Sequence, residues 1–298
     1  MAATLELTES TYLIPSGSNT GLIVADGRAL IVDAGLDADT ARRVARALAE
    51  LQARPVALLL THAHADHFGG ASAIAERFGV PVYAPALEAA IVENPYLEPQ
   101  FLFSGAAPVP ELLGKFTLAA PCRVSAIVEP GPLDVAGIPV QVVALAGHAP
   151  NQVGYGFGGT LFCGDVFFPS ETLAKHPIPF CADVARALDA LQRLPEMPYG
   201  CFAPGHGPAL TDPAAECRAN AERLRAIADI ILQACAVPTS TGDLVRAVMD
   251  GLGATLNQIA QYCLAQTTVL ACAAWLRAQG RLEVRFADNR MLWAQTME

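Results

Sequence analysis

The stretch Thr61-His62-Ala63-His64-Ala65-Asp66-His67 gathers three of the chain's 6 histidines and an aspartate into one short window. Before it, Pro55-Val56-Ala57-Leu58-Leu59-Leu60 reads as a buried strand. After it, Gly69 to Phe78 reads as a helix ended by Gly79. The spacing therefore places the imidazoles and the carboxylate on a strand-to-helix loop, where side chains converge from one turn of backbone. Imidazole nitrogen and carboxylate oxygen suit borderline divalent metals such as zinc. A merely solvated polar loop has no need of this concentration of histidine.

Working outward, three later positions repeat one pattern. His148 follows Gly147, Asp165 follows Gly164, and His206 lies between Gly205 and Gly207. Each ends a β-rich apolar run, at 138–145, 160–163 and 200–203. Ligands at strand ends along one sheet edge can face a shared cleft, and glycine lets the backbone turn there. Earlier in the chain, 11–14, 21–25 and 28–33 read as strands, with Asp26-Gly27 as a hairpin turn. Residues 38–52 and 183–194 read as helices, and 80–83 as a short strand. The Pro- and Gly-rich segment 94–133 reads as a long functional loop.

In this order the motifs resemble the metallo-β-lactamase superfamily over residues 1–210. The resemblance implies an αββα sandwich carrying two metal ions at one edge. His62, His64 and His148 would hold the first ion, Asp66, His67 and His206 the second, and Asp165 would bridge them. Asp33, in Val32-Asp33-Ala34-Gly35, matches a position that supports the histidine loop from behind. The implied cofactor is a pair of divalent ions, Zn2+ first, with Fe or Mn compatible with the same donors. Many antibiotic-hydrolysing members carry a cysteine ligand in place of the bridging aspartate, and flavodiiron oxygen reductases carry Glu where this chain has His64. Both branches are therefore disfavoured. The run Gly147-His148-Ala149-Pro150-Asn151-Gln152 departs from the usual pattern and puts two amides near the rim.

A dinuclear site of this kind implies a metal-bridging hydroxide that attacks a carbonyl or a phosphorus. Asp66 is the candidate to orient that nucleophile or move its proton. His176, in Lys175-His176-Pro177, is a candidate proton donor or substrate contact. Tyr96, Phe101 and Phe103, with Phe116 and Asn151, are candidate substrate-facing residues. The expected activity is hydrolysis of a small ester, thioester or lactone. The alternatives are a phosphodiesterase or endoribonuclease of the same fold, a mononuclear iron persulfide dioxygenase, and a DNA-binding regulator with a metal sensor.

Composition narrows these. The formal net charge is −10, only two residues are lysine, and no basic cluster stands out. A small-molecule partner is expected rather than nucleic acid. The first residues are acidic and carry no signal-peptide pattern, and no apolar run reads as long enough to span a membrane. The 8 cysteines form no C-x-x-C pair, which fits reduced thiols in a cytoplasm. From 211 to 298 the chain reads as helices at 213–235, 241–251, 255–265 and 267–279, then a hairpin. This is a winged-helix-like module whose apolar residues Leu264, Val269, Leu270, Trp275 and Leu276 would pack on the cleft or support a homodimer.

Overall fold

Short β-branched runs separated by turn residues build the first layer. In the computed structural model, which describes residues 4–296, Leu5–Thr8 (β1), Thr11–Ile14 (β2), Thr20–Ala25 (β3) and Arg28–Val32 (β4) form an antiparallel meander. Asp26 and Gly27 both take positive φ between β3 and β4, the conformation a tight hairpin of this twist requires. Helix Asp39–Glu50 (α1) then crosses to Arg54–Leu59 (β5), which lies parallel to β4. The histidine loop follows, continuing into helices Ala65–Phe68 (α2) and Ala71–Phe78 (α3). The helix expected from Gly69 is thus broken at Gly69-Gly70, where an added Cβ would strike the carbonyl oxygens of Leu36 and Ala34. Val82–Pro85 (β6), Ala86–Glu93 (α4), Leu97–Leu102 (α5) and Ala126–Val128 (β7) complete a seven-stranded sheet in sequence order.

The second sheet holds Gly131–Val135 (β8), Ile138–Ala144 (β9), Val153–Phe157 (β10), Thr160–Gly164 (β11) and Cys201–Pro204 (β12). Its order is β12-β11-β10-β9-β8. Only β11 and β12 run parallel, joined by a crossover through Ser170–Lys175 (α6) and Val184–Arg193 (α7).

The two sheets pack face to face. Leu13, Ile23, Leu30 and Leu59 from the first meet Val140, Val142, Tyr155 and Phe162 from the second. On the outer face of the first sheet, α1 and α3 bury Val44, Leu48 and Ile74. On the outer face of the second, α7 covers Leu145, Leu161 and Phe202. This is the expected αββα layering.

The 94–133 segment is not an open loop. It contains α5, a 3-10 turn at 110–112 and β7, and Leu102 and Leu112 close against Cys263.

After residue 210 come Ala214–Ala234 (α8), Thr241–Gly251 (α9), Ile259–Ala278 (α10) and the antiparallel hairpin Leu282–Ala287 (β13) with Arg290–Gln295 (β14). Residues 255–265 and 267–279, expected as two helices, largely fuse into α10, because no Gly or Pro interrupts Gln266-Thr267-Thr268. The fused helix also corrects the expectation about membrane spans. At 20 residues and mean hydropathy 1.3, α10 is long and apolar enough to cross a membrane by length and composition. Here it packs against α8, α9 and α7, and Val269, Cys272 and Leu276 join the core that also contains Leu161 and Phe167. The C-terminal helices therefore share one apolar core with the outer face of the second sheet.

Candidate metal centre

The strand ends meet at one edge of the sandwich. After β4, Asp33 adopts φ +60, a conformation more accessible to aspartate than to most side chains. Its buried carboxylate accepts hydrogen bonds from the Thr61 N–H and hydroxyl, both at 2.8 Å, and from His67 Nδ1 at 3.0 Å. One side chain thereby shapes the histidine loop and aims His67 Nε2 inward.

The ligand atoms fall into two adjoining groups. His62, His64 and His148 form one set able to hold a metal ion, and Asp66, His67 and His206 form another. In the first, His64 Nδ1 and His148 Nε2 lie 2.7 Å apart, and the buried His62 Nε2 has no hydrogen-bond partner. In the second, His206 Nε2 lies 3.3 Å from Asp66 Oδ2 and 3.4 Å from His67 Nε2. Asp165 touches both groups. Its Oδ2 is 3.6 Å from His148 Nε2 and 3.2 Å from His206 Nε2, and its Oδ1 is 3.3 Å from His67 Nε2. A third combination, Asp33 with His62 and His67, is also close enough to hold an ion, but both Asp33 oxygens are already engaged by Thr61 and His67.

Gly205 makes this closeness possible. A Cβ there would sit 2.1 Å from Asp165 Oδ1 and 2.5 Å from His67 Cε1. The outer ring nitrogens are spoken for: His148 Nδ1 donates to Phe180 O at 3.0 Å, and His206 Nδ1 donates to Gly17 O at 2.7 Å. That leaves the facing nitrogens free to bind.

Charge divides the two groups. Burial, aided by the neighbouring imidazoles, pushes His62 well below its ordinary pKa. Burial and His148 take His64 down to about 3. Burial also lowers His148. These three rings are neutral, the form that ligates metal. Burial opposes charge in the second group too, but opposite charges outweigh it. Asp165 and Asp66 raise His67 well above its ordinary value, and Asp165 takes His206 up to about 10. Asp66 is held down to about 2, with His67 overcoming burial, and Asp165 well below the carboxylate range, with His67 and His206 doing the same. The carboxylates thus make a place that favours positive charge. Two orphaned buried atoms, His62 Nε2 and Asp165 Oδ1, together with the donor chemistry, fit divalent cations.

The other expected contacts are placed as follows. Asn151 is half-buried at the rim, and its side-chain oxygen lies 3.4 Å from the Leu87 N–H. Gln152 is buried, accepting from the Asp165 N–H and donating to Leu145 O, so it ties β9 to β11. Tyr96 and Phe101 are exposed, while Phe103 packs on the Leu102–Leu112–Cys263 cluster. His176 is exposed, ends α6 and lines a separate cavity.

Sequence reasoning missed Glu88, Phe168 and Phe180. Glu88 is buried in α4 and accepts from the Ala63 N–H at 2.9 Å and the Asn151 N–H at 2.8 Å, joining the two ligand loops. No motif marks it. Phe180 stacks edge-on to His64 and His148, and Phe168 lies beside His148 and His206. The one available signal was the position of Phe168 just after Gly164-Asp165.

Residues 13–206 match the model of the metallo-beta-lactamase superfamily. A probable metallo-hydrolase of Bacillus subtilis, YybB, is 30% identical over 185 residues, covering 59% of this chain and 74% of that protein. A hydroxyacylglutathione hydrolase of Xylella fastidiosa is 32% identical over 183 residues, covering 59% of this chain; the match spans only 54% of the relative's length. Two solved structures share the fold at 20% identity. A metallo-beta-lactamase family protein of Thermus thermophilus gives a TM-score of 0.75 over 98% of this chain and 100% of its own. A beta-lactamase domain protein of Burkholderia ambifaria gives 0.74 over 98% and 93%. The structural likeness thus runs on through the C-terminal helices.

Proposed function

This chain belongs to the metallo-beta-lactamase superfamily, and from that premise we propose that it is a metal-dependent hydrolase of a small ester, thioester or lactone, working with two divalent cations, Zn2+ first among them. The observation that carries the reading is Asp165, whose two oxygens face His148 on one side and His67 and His206 on the other. The hydroxyacylglutathione hydrolases among its relatives support an acyl substrate by their name.

In this reading His62, His64 and His148 would hold one cation and Asp66, His67 and His206 the other, with Asp165 facing both groups. Cations held there would supply Lewis acidity and would lower the pKa of a water toward about 7. Asp33, Phe180 O and Gly17 O fix which nitrogen each ring presents. Asp66 is the more open carboxylate, its side chain 30% exposed against 4% for Asp165, so we assign it to orient the attacking water. Phe168 and Phe180 give the cleft an apolar wall that limits bulk water. A reducing compartment such as the cytoplasm is part of this reading, seven of the 8 cysteines being buried.

The test is metal analysis of protein purified without added metal, followed by assay of the zinc-loaded protein on a panel of esters, thioesters and lactones. Hydrolysis within one of these classes, lost on chelation, is expected. A loaded protein inert across the whole panel overturns the reading.

A further inference from the structure

A cavity of about 630 Å³ is lined by none of the proposed metal ligands. It lies between the segment running from α6 to Phe180 and the helices α8, α9 and α10. Phe168 and Phe180 line its near side. The same two rings reach the imidazoles, with Phe180 centred 5.0 Å from His64 and Phe168 5.5 Å from His148. Cavity and metal centre are therefore neighbours across two aromatic side chains.

The lining is mainly apolar, with Thr172, Thr255 and Gln261 as neutral polar groups, and its formal charge is of a single sign. Leu173, Ile178, Leu256 and Leu264 supply hydrocarbon, while Lys175 and Arg223 supply cations beside His176. No Asp or Glu contributes, although the chain has 29 acidic residues against 19 basic ones and one of its two lysines stands here. Among the described residues neither cation has a carboxylate partner. Arg223 is half-buried, and one of its Nη atoms donates to Pro177 O at 2.8 Å, leaving the rest of its fork for another acceptor. A half-sequestered guanidinium with spare donors gains most from an anion, which satisfies charge and hydrogen bonds together.

We propose that this cavity is a binding site for an anionic group, a carboxylate or phosphate, carried on a short hydrocarbon chain, with the anion on Lys175 and Arg223 and the chain along the apolar lining. Within the hydrolase reading, which this part of the inference rests on, the occupant is one arm of the substrate. Its scissile bond passes Phe168 and Phe180 to reach the histidines. The enzyme then selects esters or thioesters bearing a second, negatively charged end.

Titration calorimetry on the full chain stripped of metal tests the site without involving catalysis. The probes are octanoate, octyl phosphate and neutral octanamide. At least one anion is expected to bind tenfold or more tightly than octanamide, and the better of the two identifies the head group. The double variant K175Q/R223Q should lose most of that preference, and R223K should keep it. Lys175 is exposed, so K175Q alone, together with weakening of anion binding between about 50 and about 500 mM salt, serves if the double variant does not fold. Equal affinity for octanamide, no binding of any probe, or an undiminished preference in the glutamine variants overturns the proposal. A zinc-loaded protein inert on every ester that still binds anions through these cations sinks the hydrolase reading alone. An active esterase indifferent to the anion sinks the present proposal alone.

Discussion

Asp33 and His67 meet through a 3.0 Å contact between Oδ2 and Nδ1, buried behind the candidate metal centre. With Nδ1 committed to that carboxylate, Nε2 is the atom left to face Asp66, Asp165 and His206. Asp33→Asn removes the charge and half of the acceptor capacity, so the ring loses its fixed tautomer and aim. Metal affinity should fall by about 10–100-fold, as for partners that orient ligand imidazoles elsewhere. Retention of metal against a competing chelator measures this, and wild-type retention would contradict it.

Removal of metal should act on activity and stability together. Chelation should abolish hydrolysis, and zinc should restore it. A cation at 100 times its dissociation constant stabilises the folded state by about 2.7 kcal/mol, so the loaded protein should melt at a higher temperature in calorimetry. His206→Ala dismantles the Asp66, His67 and His206 group and spares the other trio. Its metal content should drop from about two equivalents to about one. An unchanged stoichiometry would remove His206 from the ligand set.

The metal-free protein should be most stable near neutral pH. His62, His64 and His148 have folded pKa values below the ordinary 6.5, with His64 at about 3. Below 6.5 the unfolded chain takes up protons that these folded rings refuse, so stability falls as pH drops through that window. His67 and His206 are shifted the other way, His206 to about 10. Their contribution is full below 6.5 and is lost as pH rises toward 10. The slopes follow from proton uptake on unfolding. Urea titrations in chelator from pH 5 to pH 9 should show the maximum, and a monotonic trend would count against these shifts.

Glu88→Ala leaves the Ala63 and Asn151 N–H groups without their acceptor. The buried Ala63 donor left unsatisfied costs about 1–3 kcal/mol, and the part-buried Asn151 donor less, so denaturant midpoints should fall clearly. Because the two amides belong to different ligand loops, metal retention should weaken in the same variant. A drop in stability with full metal affinity would show that Glu88 serves the fold alone.

What the sequence disclosed was local. His62 through His67 come from one loop, and His148, Asp165 and His206 each follow a strand and touch a glycine, so spacing and turn chemistry revealed them. Glu88 did not stand out, because its contact with Ala63 spans 25 residues and nothing in Ala86–Glu93 distinguishes Glu88 from Glu93. Helix α6 is only six residues long and lies between Pro169 and Pro177, so it offers no periodic pattern to read. The fusion into α10 was missed because a helix apolar on most sides has no clear periodic face to follow. Lys175 and Arg223 lie on different elements, and only tertiary packing shows that they share a cavity without an acid.

The late position of β12 has a consequence for biosynthesis. This strand slots beside β11 only after the chain has traversed α6 and α7, and Asn19 then grips it, its side-chain amide donating to Pro204 O and Gly207 O. His206 therefore leaves the ribosome after every other proposed ligand. Under the two-cation reading, His62, His64 and His148 are synthesised before Asp165 and His206, so the order of translation would set which half of the site can first be completed.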